Sequence, residues 1–267
     1  MARRAPAEFA DIAADVLARI RSRAPRVHCI TNSVAQAYTA NMLLAAGAIP
    51  SMTISPEEIA AFVAGADALV VNLGTFDAER RAAIDVALGA LGQGQKGAGG
   101  KPWVLDPVFI ERSPARAQFA QSLVSRKPTA VRLNHHEFAA LADGDAAGDA
   151  PARFAERHDT VVALTGNTDV VTDGGRSAKV ANGDPLMGLV TAMGCAGSAL
   201  VAAALVVERD RWRATIAALV ALGVAGEVAA ENTSGPGRFA SWIIDALHGL
   251  DSSTLRARTR VSGYKRS

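Results

Sequence analysis

Hydrophobic residues along this chain follow two kinds of spacing in turn. Between Phe9 and Ile20 they recur every three or four positions, which predicts an amphipathic helix. Elsewhere they form short continuous runs that have the length of buried strands and end in polar residues or glycine. These runs lie at 27–30, 68–73, 103–107, 130–134 and 160–166. Strands that alternate with helices predict an α/β domain of three layers around a mostly parallel sheet.

The remaining elements follow from the same spacing and from turn residues. Ser55, Pro56 and Glu58 predict a capping box that opens a helix. The segment 170–180 predicts a hairpin, and the glycine-rich stretch 92–100 predicts a flexible spacer. A short strand is predicted at 50–52. Further helices are predicted at 36–46, 77–91, 195–207, 213–231 and 238–248.

Composition narrows the class of protein. The chain has 267 residues, of which 49% are hydrophobic and 20% charged, and this predicts one globular domain over 1–267 with mobile basic ends at 1–8 and 252–267. A net charge of +2 gives no strong field for nucleic acid or a membrane. Acidic residues soon follow the basic N-terminus, and Cys29 and Cys195 are too few for a disulfide framework. We therefore expect a cytoplasmic protein.

A turn of small residues at 191–198 runs directly into an apolar helix. The first N–H groups of a helix have no partner within it, so this turn predicts a site for a phosphate or a developing negative charge. Cys195 lies within reach of the same point, and a helix N-terminus favours its thiolate. A nucleophile, a polar group beside a transferred phosphoryl and a buried structural cysteine all remain open.

Other candidate residues follow the predicted strands. Asn134 and Glu137 could serve a hydrated magnesium ion, or could form an ordinary capping box. Asp106 could be a second carboxylate near a metal or substrate, or part of a turn. Arg132 can bind phosphate through a bidentate contact, and Thr165 can donate a hydrogen bond to phosphate; each also has an ordinary structural explanation. The sequence contains neither a P-loop nor a dinucleotide-binding glycine motif.

Taken together, the motifs resemble the hydroxyethylthiazole kinases, a family with the ribokinase-like fold. They occur in the family's order over about residues 12–250. The matching positions are 27–32, 39–41, 43–48, 50–52, 56–58, 73–75, 105–108, 132–134 with Glu137, 164–166, 173–174, 182–183, 185–187, 194–195 and 235–237.

The resemblance implies ATP-dependent phosphorylation of the primary alcohol of a thiazole in thiamine salvage, with Mg²⁺, by a cytoplasmic homotrimer whose active sites lie at subunit interfaces. It also implies roles for particular residues. Cys195 would stand where most of the superfamily has a catalytic aspartate, and a thiol there predicts a slow enzyme. The implied site comprises Cys195 and Gly194 for catalysis, Met52, Asn32 and Ala192 for substrate, Arg132 and Thr165 for ATP, and Asn134, Glu137 and Asp106 for the metal.

Two departures from the family pattern leave alternatives open. Ala192 and Met193 replace a glycine and a threonine, and Phe109 opens a bulky segment where the family has a glycine-rich turn. Bulk beside the phosphate path would suit a binding protein on the same fold that has lost most of its catalysis. A third hypothesis is a hydrolase that uses Cys195 as its nucleophile.

Overall fold

One sheet forms the centre of the chain in the computed structural model, which describes residues 6–93, 100–142 and 148–265. Within these residues the strand order is β2-β1-β3-β4-β5-β6-β7-β8-β9. The first six strands are parallel, and β7 to β9 pair antiparallel. The strands are β1 (Arg26–Ile30), β2 (Ile49–Ser51), β3 (Ala68–Asn72), β4 (Trp103–Asp106), β5 (Ala130–Asn134), β6 (Val161–Thr165), β7 (Asp169–Thr172), β8 (Arg176–Val180) and β9 (Val261–Lys265).

Helices cover both faces of this sheet. One face carries α1, α2 and α8 to α11, and the other carries α3 to α7. An apolar core fills each interface, so the three-layer prediction is confirmed. The helices are α1 (Pro6–Arg23), α2 (Gln36–Ala46), α3 (Ile59–Gly65), α4 (Ala78–Gln93), α5 (Pro114–Val124), α6 (His135–Leu141), α7 (Ala150–His158), α8 (Met193–Val207), α9 (Arg211–Ala230), α10 (Pro236–Gly249) and α11 (Ser252–Arg258).

The most apolar long helix, α9, lies in the middle of the larger core. Its length and hydropathy would suffice for a membrane span, but 78% of the apolar window is buried inside the fold. It packs against α1, α8 and α10. Asp210 caps its N-terminus by accepting from the N–H groups of Trp212 and Arg213. Burial among other helices explains its apolar composition.

Most predicted elements agree with the structure, but the capping box at Ser55 is wrong. Helix α3 begins only at Ile59, and residues 56–58 form a turn. The Glu58 carboxylate accepts a hydrogen bond from the Thr53 hydroxyl, so it is engaged outside a capping box. Of the predicted spacer, residues 94–99 lie outside the described residues, and the preceding helix extends to Gln93.

The C-terminal segment, which the sequence predicts to be a mobile basic end, forms α11 and β9 over 252–265. Its arginines are paired: Arg256 Nε lies 2.8 Å from Asp11 Oδ1, and Arg258 Nη1 lies 2.6 Å from Glu231 Oε1. In β9, a Cβ on Gly263 would come within 2.8 Å of the ring of Phe9, so a glycine is required for this approach. Residues 1–5 and 266–267 lie outside the described residues.

Candidate active site

Four polar side chains meet at the carboxyl ends of β1, β3 and β4 and at the start of α8. Asn72 Nδ2 donates to Asp106 Oδ2 over 2.6 Å and lies 3.2 Å from Cys195 Sγ. Asn32 Nδ2 lies 3.0 Å from Asn72 Oδ1 and 3.3 Å from Cys195 Sγ. Ligands bind beyond the carboxyl ends of strands in open parallel sheets. This cluster of Asn32, Asn72, Asp106 and Cys195 is therefore the candidate catalytic centre.

The turn before α8 takes a conformation that glycine adopts more easily than alanine. Ala192 is the N-cap residue, with φ 70° and ψ 0°, in the left-handed region. Its carbonyl accepts the first helical hydrogen bond from Ala196 N, at 2.9 Å. The amides of Gly194 and Cys195 precede this bond, so helix geometry leaves them without intrahelical acceptors. A positive helix end therefore lies beside Cys195.

Arg132 on β5 lies along the first turn of α8. Its Nη1 donates to the carbonyl oxygen of Gly194 over 2.9 Å. A Cβ at Gly197 would come within 3.1 Å of Arg132 Nε, so this glycine makes room for the guanidinium. The arrangement adds a fixed positive charge to the helix end. Arg132 and Gly194, both predicted from the sequence, are thus brought together with Cys195.

Met193 is buried beneath the start of α8. Its side chain is 6% exposed and belongs to the core between the sheet and α8. The bulk of its side chain therefore lies in the core and adds little exposed surface beside the start of α8. Phe109 is different: it is 51% exposed, has φ 58°, and immediately precedes a 3₁₀ turn over Ile110–Arg112.

Burial controls the proton affinity of the cluster. Burial, with a smaller contribution from the nearby Asp106 carboxylate, raises the pKa of Cys195 to about 12, against hydrogen bonds from Asn32 and Asn72 and the charge of Arg132. The raised pKa favours the thiol form of Cys195, against the thiolate expected from its place at a helix N-terminus. Burial also raises the pKa of Asp106, while Arg132 and the Asn72 amide act in the opposite direction. Asp106 is 3% exposed.

Asn134 and Glu137 form the capping box that was one of the two explanations for their spacing. Asn134 Oδ1 accepts from Glu137 N at 2.9 Å, and Glu137 Oε2 accepts from Asn134 N at 2.8 Å. Phe109 N donates to Glu137 Oε1 at 3.1 Å. Burial raises the pKa of Glu137 to about 7, against the backbone bonds from Asn134 and Phe109 and with a contribution from Asp106.

The other predicted residues lie on either side of the cluster. Thr165 stands opposite Asn134 in the β5–β6 register, and its hydroxyl donates to Leu133 O over 3.3 Å. Met52 directly follows the edge strand β2 and packs against the larger core. The described residues contain no group of three or more His, Cys, Asp or Glu side chains able to hold a metal.

Sequence reasoning missed Asn72 as a functional residue. It was included only as one residue of a buried strand, although it is 1% exposed and contacts the three other members of the cluster. A signal was present: Asn72 is a polar residue near the carboxyl end of one predicted apolar strand, and Asp106 lies near the same end of the next strand along the chain. Parallel pairing sets Asn72 directly opposite Asp106.

Comparison with known proteins gives a consistent result over most of the chain. The family model described as "Hydroxyethylthiazole kinase family" matches residues 17–253. A hydroxyethylthiazole kinase of Rhizobium etli is 43% identical over 265 residues, covering 92% of this chain and 99% of that protein.

Solved structures extend the comparison to the fold. The structure of a hydroxyethylthiazole kinase from Pyrococcus horikoshii matches with a TM-score of 0.89 at 35% identity, covering 96% of this chain and 100% of that one. A ribokinase-like superfamily protein of Enterococcus faecalis matches at 0.62 with 13% identity, over 87% and 89% of the two chains, which supports the fold alone. The fold is ribokinase-like, and the chain belongs to the hydroxyethylthiazole kinase family.

Proposed function

We propose that this protein transfers the γ-phosphoryl group of ATP to the primary alcohol of 4-methyl-5-(2-hydroxyethyl)thiazole or a close analogue, in thiamine salvage. The observation that carries the proposal is the cluster of Asn32, Asn72, Asp106 and Cys195 at the N-terminus of α8. Family membership makes it an alcohol kinase. The cluster supplies a place where an alcohol oxygen and a transferred phosphoryl can meet.

Charge stabilisation comes from the helix end and from Arg132. Phosphoryl transfer depends mainly on positioning and on neutralising charge. The backbone amides of Gly194 and Cys195 lie in the first turn of α8, and Arg132 contacts the same turn by donating to Gly194 O. These groups can neutralise negative charge that develops there. Thr165 ends β6, the strand next to β5, which carries Arg132. We assign this part of the sheet edge to the phosphates of ATP.

Cys195 holds the alcohol in place and is not a base. With a pKa near 12 its thiol keeps its proton at neutral pH. Two amide groups already donate to the sulfur, so the S–H hydrogen is free to point to the substrate oxygen. The alcohol proton leaves late, to a phosphate oxygen or to the Asp106 carboxylate. A slow enzyme follows from the absence of a strong base in this cluster.

The carboxylates fit a magnesium ion that arrives with ATP. Asp106 and Glu137 are both buried, and the Asp106 carboxylate contributes to the raised pKa of Glu137. A cation beside them relieves that repulsion. Mg²⁺ commonly uses one or two carboxylates together with waters and substrate phosphates. Asp106 and Glu137 would hold it, with Asn134 alongside, and the ion would neutralise phosphate charge.

We also expect a cytoplasmic homotrimer with active sites between subunits, as the family resemblance implies. An apolar groove of about 380 Å³ beside the edge strand β2 supports association, since Ile49 and Phe62 are exposed in it. Light scattering after gel filtration should give about three times the 27.6 kDa chain mass. A single-chain mass would contradict the trimer.

Steady-state kinetics with ATP, Mg²⁺ and the thiazole alcohol test the proposed activity. ADP and the alcohol phosphate should form in equal amounts. Arg132→Lys should raise KM for ATP on the order of tenfold, because lysine lacks the planar fork. The matched control is Arg157→Lys, an exposed change on α7. Tight alcohol binding without ADP formation would favour the binding-protein alternative.

A further inference from the structure

His28 is a fully buried histidine whose two ring nitrogens are both hydrogen-bonded. Nδ1 lies 2.8 Å from Ser51 Oγ, and Nε2 lies 3.0 Å from the carbonyl oxygen of Thr53. A carbonyl oxygen can only accept, so Nε2 carries the proton and Nδ1 accepts from the Ser51 hydroxyl. Burial lowers the pKa of His28, which agrees with a neutral ring. The imidazole therefore connects Ser51 and Thr53 through one hydrogen bond to each.

Ser51 and Thr53 lie on either side of Met52 in the sequence. His28 stands opposite Ser51 in the β1–β2 register, so their side chains share a face of the sheet. Met52 faces the other way and packs against the larger core, which also contains Cys29 and α8. The imidazole thus holds the backbone before and after Met52 from the opposite face.

The segment 51–53 has little other support from the sheet. Among the described residues, β2 has three residues and pairs with β1 alone. Thr53 Oγ1 accepts from Ser55 N at 3.3 Å, which links the segment to the following turn and not to the sheet. The ring of Phe62 covers the imidazole, with centroids 5.9 Å apart. His28 consequently supplies the side-chain hydrogen bonds that hold this segment to β1.

We infer that His28 is a positioning residue that fixes Met52 on the alcohol-binding side of the active site through its hydrogen bonds to Ser51 and Thr53. The inference rests on the proposed function and on the contact with the thiazole that the family resemblance implies for Met52. His28 acts through the segment 51–53 and does not contact the reacting atoms. Its removal should weaken alcohol binding and leave ATP binding intact.

Kinetics of His28→Leu and His28→Gln test this role. His28→Leu loses both bonds, so KM for the alcohol should rise at least tenfold while KM for ATP stays within twofold. His28→Gln retains an amide near the place of Nε2 and should restore part of the loss. The control is Leu69→Ala, which removes core volume on β3 directly opposite His28; it should lower stability and leave KM for the alcohol nearly unchanged.

Hydrogen exchange without ligands gives a second measurement that does not depend on activity. In His28→Leu, amides of residues 51–59 should exchange at least tenfold faster, while those of β6 should not change. Unchanged exchange, or equal increases in both KM values, would overturn the inference. If the parent neither binds nor phosphorylates the alcohol, the proposed function is wrong, and the exchange result still decides whether His28 holds the segment.

Discussion

The Asn72 amide donates to the Asp106 carboxylate over 2.6 Å, and the two residues stand directly opposite one another at the ends of β3 and β4. Asp106 is only 3% exposed, and burying a carboxylate is costly unless a hydrogen-bond donor is beside it. The Asn72 amide is such a donor. The pair anchors the cluster, because the same amide nitrogen of Asn72 also lies 3.2 Å from Cys195 Sγ.

Asn72→Ala should remove this anchor. The Asp106 carboxylate loses a buried donor, which costs about 1–3 kcal/mol of unfolding free energy. Turnover should fall on the order of a hundredfold, since Cys195 loses one of its two amide contacts. Urea unfolding and ADP formation measure the two effects. Asn41→Ala, at an exposed position of α2, is the control and should change neither by much; an equal loss there would contradict the assignment.

Cys195 should react slowly with iodoacetamide in the folded protein. A pKa near 12 leaves about one thiolate in ten thousand at pH 8. Mass spectrometry should therefore find little alkylation over the time in which the urea-unfolded chain is fully modified. Labelling of the folded protein should still be rising above pH 9. Fast labelling at pH 7 would instead support the nucleophile of the hydrolase hypothesis.

Glu137 should make stability depend on pH. Its pKa is about 7 in the fold against 4.5 without it, so the native state binds the proton more tightly. The contribution is fully present below pH 4.5 and is lost as the pH rises to about 7, on the order of 3 kcal/mol in all. Urea unfolding at several pH values measures it. Glu137→Gln should flatten the decline, whereas Glu57→Gln, exposed on the surface, should not.

Ala192→Gly should not destabilise the protein. Alanine at φ 70° is strained by about 1 kcal/mol, which offsets the extra chain entropy of glycine. Ala196→Gly, one turn further into α8 and fully buried, is the matched control and should cost about 1 kcal/mol or more. Chemical unfolding of both variants decides the matter. A loss at 192 equal to that at 196 would mean that the turn is not strained.

Much of the fold could be predicted from the sequence because its signals are local. Continuous apolar runs located the central strands, and helical spacing located α2, α8 and α9 within a few residues. The prediction of a mobile C-terminal end did not anticipate α11 and β9, because these elements contact distant residues such as Asp11 and Phe9. The arginine-rich composition of this segment does not indicate which distant residues it contacts.

The candidate site was predictable in its residue types but not in its protonation. Spacing alone indicated Arg132, Asp106 and Cys195. The pKa of the thiol depends on how deeply it is buried and on which carboxylate lies beside it, and both follow from packing. Asn72 was missed for the same reason, since only the register of β3 and β4 shows what it contacts.

The contact between Gly263 and Phe9 joins two residues near opposite ends of the sequence. Closing so long a loop is entropically costly, and the contact therefore forms late in folding. Until then α1 lacks part of its packing surface, which it shares with α11 through Arg256 and Asp11. Deleting β9 should consequently loosen the first helix as well as the last strand, so the two chain ends form one cooperative unit.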